Sequence, residues 1–328
     1  MPIAVTGVIA MDHLITFPGR FPVRPVTGRP HLASLTFLAE RVETRRGGTA
    51  ANIAYGLGRL GQDPVLVGVA GSDFADYQVW LKQHGVDTDS VRVVPGEPTA
   101  HQVCTTDIDG HRISTFRPGA TRSARARPLR SVVERTGGID LVMIAPDDDP
   151  AAMLRHVKEC RALGLPFAVH VARRISGMSR ACAKSLVSGA RCLFTGEEES
   201  ALLRGATGWT AVQLLDRVGA WVTALGPAGV RIERAGHRPS LVPAIGSVTV
   251  ADPAGAGDAL RAGLLAGVAR GIPLERAAQL GCVLASFALE SPGSQEYPMD
   301  VRVLLNRARG AYGHTAAAAI RRLLTYAA

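Results

Sequence analysis

A chain of 328 residues, 47% of them hydrophobic and with no long polar tract, is long enough to bury a substantial core, which excludes a disordered or fibrous class. It could form one large α/β domain with an appendage or two average domains. The formal charge of +9 comes from 34 arginines and three lysines spread along the chain, and clusters such as residues 122–130 lack interleaved aromatics, which argues against a nucleic-acid partner and leaves a general attraction for small anions.

In chain order, residues 3–9 read as a first strand. The apolar run there is broken by Asp12 and His13 and has no basic leader, and no later segment is long and apolar enough to span a bilayer. A soluble cytoplasmic protein with no membrane partner is expected. Within the following insertion, residues 35–39 and 41–44 read as strands. A helix over 49–60 follows, with Ile53, Leu57 and Leu60 on one face and Gly61 as its C-cap. Its tail, Gly56-Leu57-Gly58-Arg59-Leu60-Gly61, matches G-x-G-x-x-G; a dinucleotide fingerprint follows a strand and opens a helix, so the match is discounted. A strand at 65–69 and a helix at 74–84 come next. Residues 100–106 and 111–116 flank Ile108-Asp109-Gly110, where Asp-Gly predicts a type I′ hairpin turn. Strands at 141–145, 167–171, 192–195 and 221–225 then alternate with helical stretches such as 151–163. That alternation predicts a mostly parallel sheet covered on both faces, and the two insertions predict a small sheet standing apart from it. The cysteines, Cys104, Cys160, Cys182, Cys192 and Cys282, have no C-x-x-C spacing, against a disulfide framework or a zinc site.

The most chemically suggestive stretch lies where a strand at 247–251 runs into a helix at 259–270, whose Leu260, Leu264 and Val268 share a face and which stops at Gly271. Between them stands Asp252-Pro253-Ala254-Gly255-Ala256-Gly257-Asp258. Glycines at such a junction let the N–H groups of Gly255, Ala256 and Gly257 point above the helix N-terminus, where orphan donors and the dipole favour an anion. Asp258, in the first turn, is placed to take a proton from an attacking hydroxyl, as phosphoryl transfer requires. An Asp that only caps the helix fits the spacing equally well.

That segment resembles the D-x-x-G-A-G-D signature of the ribokinase family, also called the PfkB carbohydrate kinases, in which the last Asp is the catalytic base. Gly47-Gly48-Thr49-Ala50-Ala51-Asn52 is similar to the family's N-terminal Gly-Gly signature, and Val222-Thr223-Ala224-Leu225-Gly226-Pro227-Ala228-Gly229 to its nucleotide-side strand and turn. Their order and separation match over nearly the whole chain. Within the family, Phe17-Pro18-Gly19-Arg20-Phe21 and Leu289-Glu290-Ser291-Pro292-Gly293-Ser294-Gln295-Glu296, among other stretches, resemble actinobacterial adenosine kinases. The resemblance implies a three-layer α/β/α core with a mostly parallel central sheet, formed by residues 1–13, 47–98 and 119–328. It also implies a discontinuous β lid, residues 14–46 and 99–118, that excludes water over the site and allows a homodimer. On the same resemblance Asp12, Gly47, Gly48 and Asn52 hold sugar hydroxyls, and Phe116 stacks on a base, though an isolated strand aromatic also fits lid core. Thr223, Gly226, Gly229 and Asp252 fall on the side of the ATP co-substrate, and Glu199 organises water around Mg²⁺.

This chain departs from the family pattern at several places. Ala254 replaces the Thr usual before the first glycine of the anion hole, and Gly196 replaces the Asn of the N-x-x-E motif that ends at Glu199. His170-Val171-Ala172-Arg173-Arg174 stands where those adenosine kinases carry Asp-Pro-Ser-Gln-Gln, and Gln102 where they carry a second Phe. A pocket that loses an aromatic face and gains Arg173 and Arg174 should prefer a more polar base or an anionic group, unless both arginines point to solvent. The expectation is an ATP-dependent kinase for the 5′-hydroxyl of adenosine or a related purine nucleoside. A non-catalytic nucleoside sensor and a ribose- or fructose-type sugar kinase are the alternatives.

Overall fold

The computed structural model describes residues 2–21, 36–147 and 149–325. β1 (Ile3–Thr6) is buried along its length and ends where Gly7 turns the chain at φ +136°. The chain then runs through β2 (Ala10–Thr16) and β3 (Arg41–Gly47) into α1 (Thr49–Arg59), which buries Ile53 and Leu57 and is followed by Gly61 at φ +68°, one residue past the C-cap. After β4 (Val65–Val67) come β5 (Val69–Gly71), α2 (Ala75–Gln83) and β6 (Arg92–Val94), then the hairpin of β7 (Ala100–Thr106) and β8 (Arg112–Arg117). Helix and strand alternate from there: α3 (Leu129–Thr136), β9 (Leu141–Ile144), α4 (Pro150–Leu163), β10 (Phe167–His170), α5 (Arg180–Val187), β11 (Cys192–Gly196), α6 (Glu197–Thr207), α7 (Ala211–Leu215) and β12 (Trp221–Ala224). The chain closes with β13 (Val230–Glu233), β14 (Ser240–Val242), α8 (Ala256–Ala269), α9 (Leu274–Leu289) and α10 (Val301–Thr325), the last interrupted at Gly313.

The main sheet has the order β14-β13-β12-β11-β10-β9-β1-β4, parallel from β4 to β12 and antiparallel beyond. Its strands are covered on both faces, which is why they read as apolar runs rather than as alternation. Ile3, Val5 and Met143 face α1, α8 and α9, while their neighbours Ala4, Val142 and Ile144 face Leu129 of α3, Val157 of α4 and Leu186 of α5. The helices α8 and α9 touch backbone to backbone: a Cβ on Gly263 would lie 2.6 Å from Gly281 Cα. The three-layer α/β/α architecture with a mostly parallel sheet is therefore the one expected. Among the described residues no helix is long and apolar enough to cross a membrane.

The second sheet, β3-β2-β7-β8, stands apart as expected, but its first strand begins at Ala10, so a lid boundary at residue 14 cuts through β2. The register places Arg45, Asp12, Gln102 and Phe116 in one row across the four strands, on a common face.

Three local expectations are corrected. Residues 247–251 form no strand: Ser247 takes φ +57°, and the N–H groups of Ala251 and Asp252 both bond Leu289 O, so the segment is tied to the end of α9 instead of to a sheet edge. Residues 36–39 have no regular structure, and Leu35 lies outside the described residues. The hairpin turn is not type I′, which needs positive φ at both Asp109 and Gly110; of the two only Gly110 has it, at +80°. The buried Asp107 side chain organises that turn instead, accepting from the N–H groups of Asp109 at 3.0 Å, His111 at 2.9 Å and Phe21 at 3.1 Å.

Candidate active site

The site is assembled around the N-terminus of α8. Gly255 is the N-cap at φ +75°, and a side chain there would meet Ser294, whose Cα would lie 2.7 Å from its Cβ. The loop before it is braced by Asp252, which accepts from Ala254 N–H at 2.9 Å and Gly293 N–H at 3.1 Å. The helix begins at Ala256, so the first N–H groups, those of Gly255, Ala256 and Gly257, lack intrahelical acceptors. Asp258 is the third residue of the helix.

Both carboxylate oxygens of Asp258 are held. Asn52, from α1, donates Nδ2–H to Oδ2 at 2.9 Å, and Arg261, one turn further along α8, donates from Nη1 to Oδ1 at 3.1 Å. Asn52 is oriented in turn by Ser294 Oγ at 2.9 Å and Gln295 Nε2 at 2.8 Å, both donating to its Oδ1. Gln295 also donates to Tyr77 OH at 2.5 Å, and that hydroxyl donates to Gly47 O at 2.8 Å. The Gly-Gly loop and the α8 N-terminus are thus joined by one buried polar chain.

Gly47 and Gly48 serve close approach. The Asp12 carboxylate occupies the space a Cβ on Gly47 would need, and Gly48, at φ +91°, lies where a Cβ would come 2.6 Å from Ala10 N and Val8 O. Burial pushes the Asp12 carboxyl up to about 7, with the nearby Asp258 and Asp252 adding to the shift. Burial also raises Asp258, opposed by the Arg261 charge and by its hydrogen bonds from Asn52 and Arg261. His170, buried beside Arg261, is pushed down to about 4 by burial and then by that charge, so it is neutral.

Two cavities meet at this helix end. The first, about 580 Å³, lies between the lid row and the core and is walled by Asp12, Gly48, Asn52, Gln102, Phe116, Glu199, Gly255 and Asp258. The second, about 690 Å³, is walled by Gly226, Gly229, Val250, Ala256, Gly257, Leu260 and Ala285 and is chiefly apolar. Gly255 and Asp258 open to one, Ala256 and Gly257 to the other.

Most of the residues singled out from the sequence are therefore brought together, with exceptions. Thr223 does not reach the second cavity: it is fully buried in β12, with its hydroxyl 3.4 Å from that of Thr195. Asp252 is a loop brace. Arg173 and Arg174 border the first cavity, but Arg173 is 75% exposed and donates to Glu198, also at the surface. Glu199 sits in the first turn of α6 and accepts from Gly196 N–H at 2.7 Å, half of a capping box that needs no side chain at 196. Its Oε2 is 3.6 Å from His170 Nε2, and the carboxylate still borders the first cavity and is 20% exposed, an exposure that fits indirect holding of a cation that keeps its waters.

Several residues were not picked out from the sequence. Arg112, on β8, reaches to 3.7 Å from Asp252. Arg261 and His170 carry the network behind Asp258; the i,i+3 spacing of Asp258 and Arg261 on a helix was the available signal. Ser294, Gln295 and Tyr77 join the site only through contacts between segments far apart in the chain.

Comparison with known proteins identifies the family. Residues 19–302 match the model of the pfkB family carbohydrate kinases. A nucleoside kinase of Methanocaldococcus jannaschii is 27% identical over 251 residues, 76% of this chain and 80% of its own length. A ribokinase of Bacillus subtilis is 26% identical over 89% of this chain and 94% of its own. The structure of a Burkholderia thailandensis nucleoside kinase in complex with inosine superposes with a TM-score of 0.83 at 28% identity, covering 95% of this chain and 99% of that one. A second structure of that enzyme is in complex with ADP-inosine. With catalytic-type geometry at a helix N-terminus between two cavities, this chain belongs to the pfkB family of carbohydrate kinases and is a phosphotransferase acting on a hydroxyl group.

Proposed function

We propose that the protein is an ATP-dependent nucleoside kinase that phosphorylates the 5′-hydroxyl of adenosine or a related purine nucleoside. The observation that carries this reading is the meeting, at Asp258 and the free N–H groups of α8, of a cavity that gathers charged and hydrogen-bonding side chains and a chiefly apolar one. The nucleoside lies in the former, where Asp12 accepts from two ribose hydroxyls and Asn52, Gly47 and Gly48 complete the sugar site. Phe116 stacks on the base beside Gln102, both presented on the same lid face as Asp12. Likeness to a nucleoside kinase whose structure holds inosine supports a purine in this place.

The phosphate donor occupies the second cavity, against Gly226 and Gly229. Asp258 removes the proton of the attacking hydroxyl, and the amides of Gly255, Ala256 and Gly257 stabilise the charge that develops on the transferred group. Glu199 would hold the waters of a bound Mg²⁺, which would supply neutralising charge to the donor phosphates. Closure of the lid keeps bulk water from competing as acceptor.

The lid also suggests an assembly. Val42, Val103 and Ile113 lie on the lid face opposite Asp12 and are 63%, 37% and 49% exposed. We infer that two copies pair through this face, which size-exclusion chromatography with light scattering tests directly.

Incubation with MgATP and a panel of nucleosides and free pentoses, read by mass spectrometry of phosphorylated products, tests the function. Transfer to a purine nucleoside supports it. Transfer only to free ribose makes the protein a sugar kinase, and tight nucleoside binding without transfer makes it a sensor, the outcome to which Ala254 and Gly196 would point.

A further inference from the structure

Of the 34 arginines, Arg261 is the one that is buried among the described residues. Its guanidinium lies under the helix end: a Cβ on Gly257 would come 3.2 Å from Nη1. One arm donates to Asp258 Oδ1 at 3.1 Å and the other meets His170 Nε2 at 2.7 Å. Arginine has only donors, so Nε2 must accept, and the imidazole is neutral with its proton on Nδ1. The same Nε2 lies 3.6 Å from Glu199 Oε2. A buried guanidinium is expensive unless each end is satisfied, and here the two ends are satisfied by residues from different elements, α8 and β10.

We propose that Arg261 is a positioning residue for phosphoryl transfer: clamped by His170, it fixes the plane of the Asp258 carboxylate against Asn52 and leaves the remaining lone pairs of that carboxylate toward the nucleoside cavity. The inference rests on reading Asp258 as the base. The groups that act on Asp258 are Asn52 from α1, Arg261 from its own helix, Glu199 from α6, Asp12 from β2 and the buried Tyr297; His170 from β10 touches Arg261, and Asp252 acts on Asp12. Glu199 and Asp12 add negative charge around the base, and Arg261 is the only buried cation among these groups. His170 occupies the position at which the resembling kinases carry Asp; an anion there would draw the guanidinium away from Asp258, whereas a neutral acceptor leaves its charge to the base.

Steady-state kinetics on R261M and R261K, with MgATP and the nucleoside of the panel that turns over fastest, test the inference. A positioning role predicts that kcat falls on the order of 100-fold in R261M while the nucleoside KM stays within about twofold, with R261K intermediate. The acid limb of kcat/KM moves to higher pH by about 1–3 units in R261M, because a base that loses its cation holds its proton longer. The clamp is examined separately: H170Q, which keeps an acceptor for Arg261, should lie closer to wild type than H170F in both kcat and acid limb, and this pair decides the matter if the Arg261 variants do not fold. Wild-type kcat in R261M, or equal behaviour of H170Q and H170F, overturns the inference. D258N separates the two levels: full turnover there removes the base itself, whereas an inactive D258N beside an unaffected R261M overturns only the positioning role.

Discussion

The two cavities that meet at α8 are built on different principles. The nucleoside-side cavity sets side chains that carry charge or specific hydrogen-bonding capacity, Asp12, Asn52, Gln102, Glu199 and Asp258, beside an apolar wall that includes Met153, Val171, Ile175 and Leu186, and its strand residues come from the lid sheet. The nucleotide-side cavity is lined by glycines and small apolar side chains, with Ser247 and Ser286 as its polar exceptions. On the proposed reading, shape and backbone suffice for the phosphate donor, whereas the acceptor is read by side chains whose protonation and orientation must be set. The difference teaches where sensitivity to substitution lies. A single polar atom matters on one side; volume matters on the other.

The largest test of that contrast is Asp258→Asn, which keeps shape and removes the base. Turnover should fall by about 100- to 10,000-fold, and a turnover number equal to wild type would dissolve the contrast at its centre. Next comes Gly255→Ala, since φ +75° and contact with Ser294 leave no room for a methyl group. The displaced helix end should lower kcat on the order of 100-fold. A crystal structure of the variant should show Ser294 or the cap moved, and an undisturbed cap with wild-type kcat would refute the argument.

Asp12→Asn probes the polar wall in two ways. The nucleoside KM should rise about tenfold or more, since one of the two acceptor oxygens becomes an NH2 donor that faces a ribose hydroxyl and the negative charge is lost. Stability should move the other way. The folded-state carboxyl titrates at about 7 instead of 3.8, so the folded protein binds more protons between those values and loses stability as pH rises through that window, by up to about 4 kcal/mol above it. The variant's gain in melting temperature should therefore be larger at pH 8 than at pH 4, and an equal gain at both would contradict the burial argument.

On the apolar side, Ala285→Leu adds volume without charge. It should raise the KM for ATP several-fold and leave the nucleoside KM unchanged within about twofold, as overpacking is local. Arg173→Ala should have the smallest effect, less than about twofold in nucleoside KM, because that side chain is exposed and already paired with Glu198. A large effect would return Arg173 to base recognition and sharpen the account of the polar wall.

Much of the fold was legible in the chain. The apolar runs of the main sheet, the amphipathic α1 and the Asp252–Asp258 junction announced themselves because burial on two faces, one face and a capped helix end each leave a distinct local pattern. Of the lid strands β3, β7 and β8 were legible, but β2 was not read as a strand, since its polar and apolar residues mix where the chain leaves one sheet for the other, and residues 36–39, read as one, have no regular structure. Residues 247–251 have strand composition and are held by α9 instead, a competition that no local pattern records.

The candidate site divides in the same way. Asp258 and the glycines before it could be named from the geometry of a helix start, whereas Asp12, Gly47, Gly48 and Asn52 were named on the resemblance of short motifs to those of the family. Arg173 and Arg174 were conspicuous in sequence and stand at the rim, whereas Arg261 was not picked out and His170, Ser294 and Gln295, though they lie in motif stretches, were given no role; these four form the buried network. The sequence by itself determined the elements and the loop that presents hydrogen-bond donors at a helix end, because those follow from periodicity, capping and the conformations open to glycine. Only the tertiary structure decided which polar groups are desolvated together, and hence that Asp12 titrates near neutrality and that one arginine among many lies behind the base: desolvation depends on packing between segments far apart in the chain.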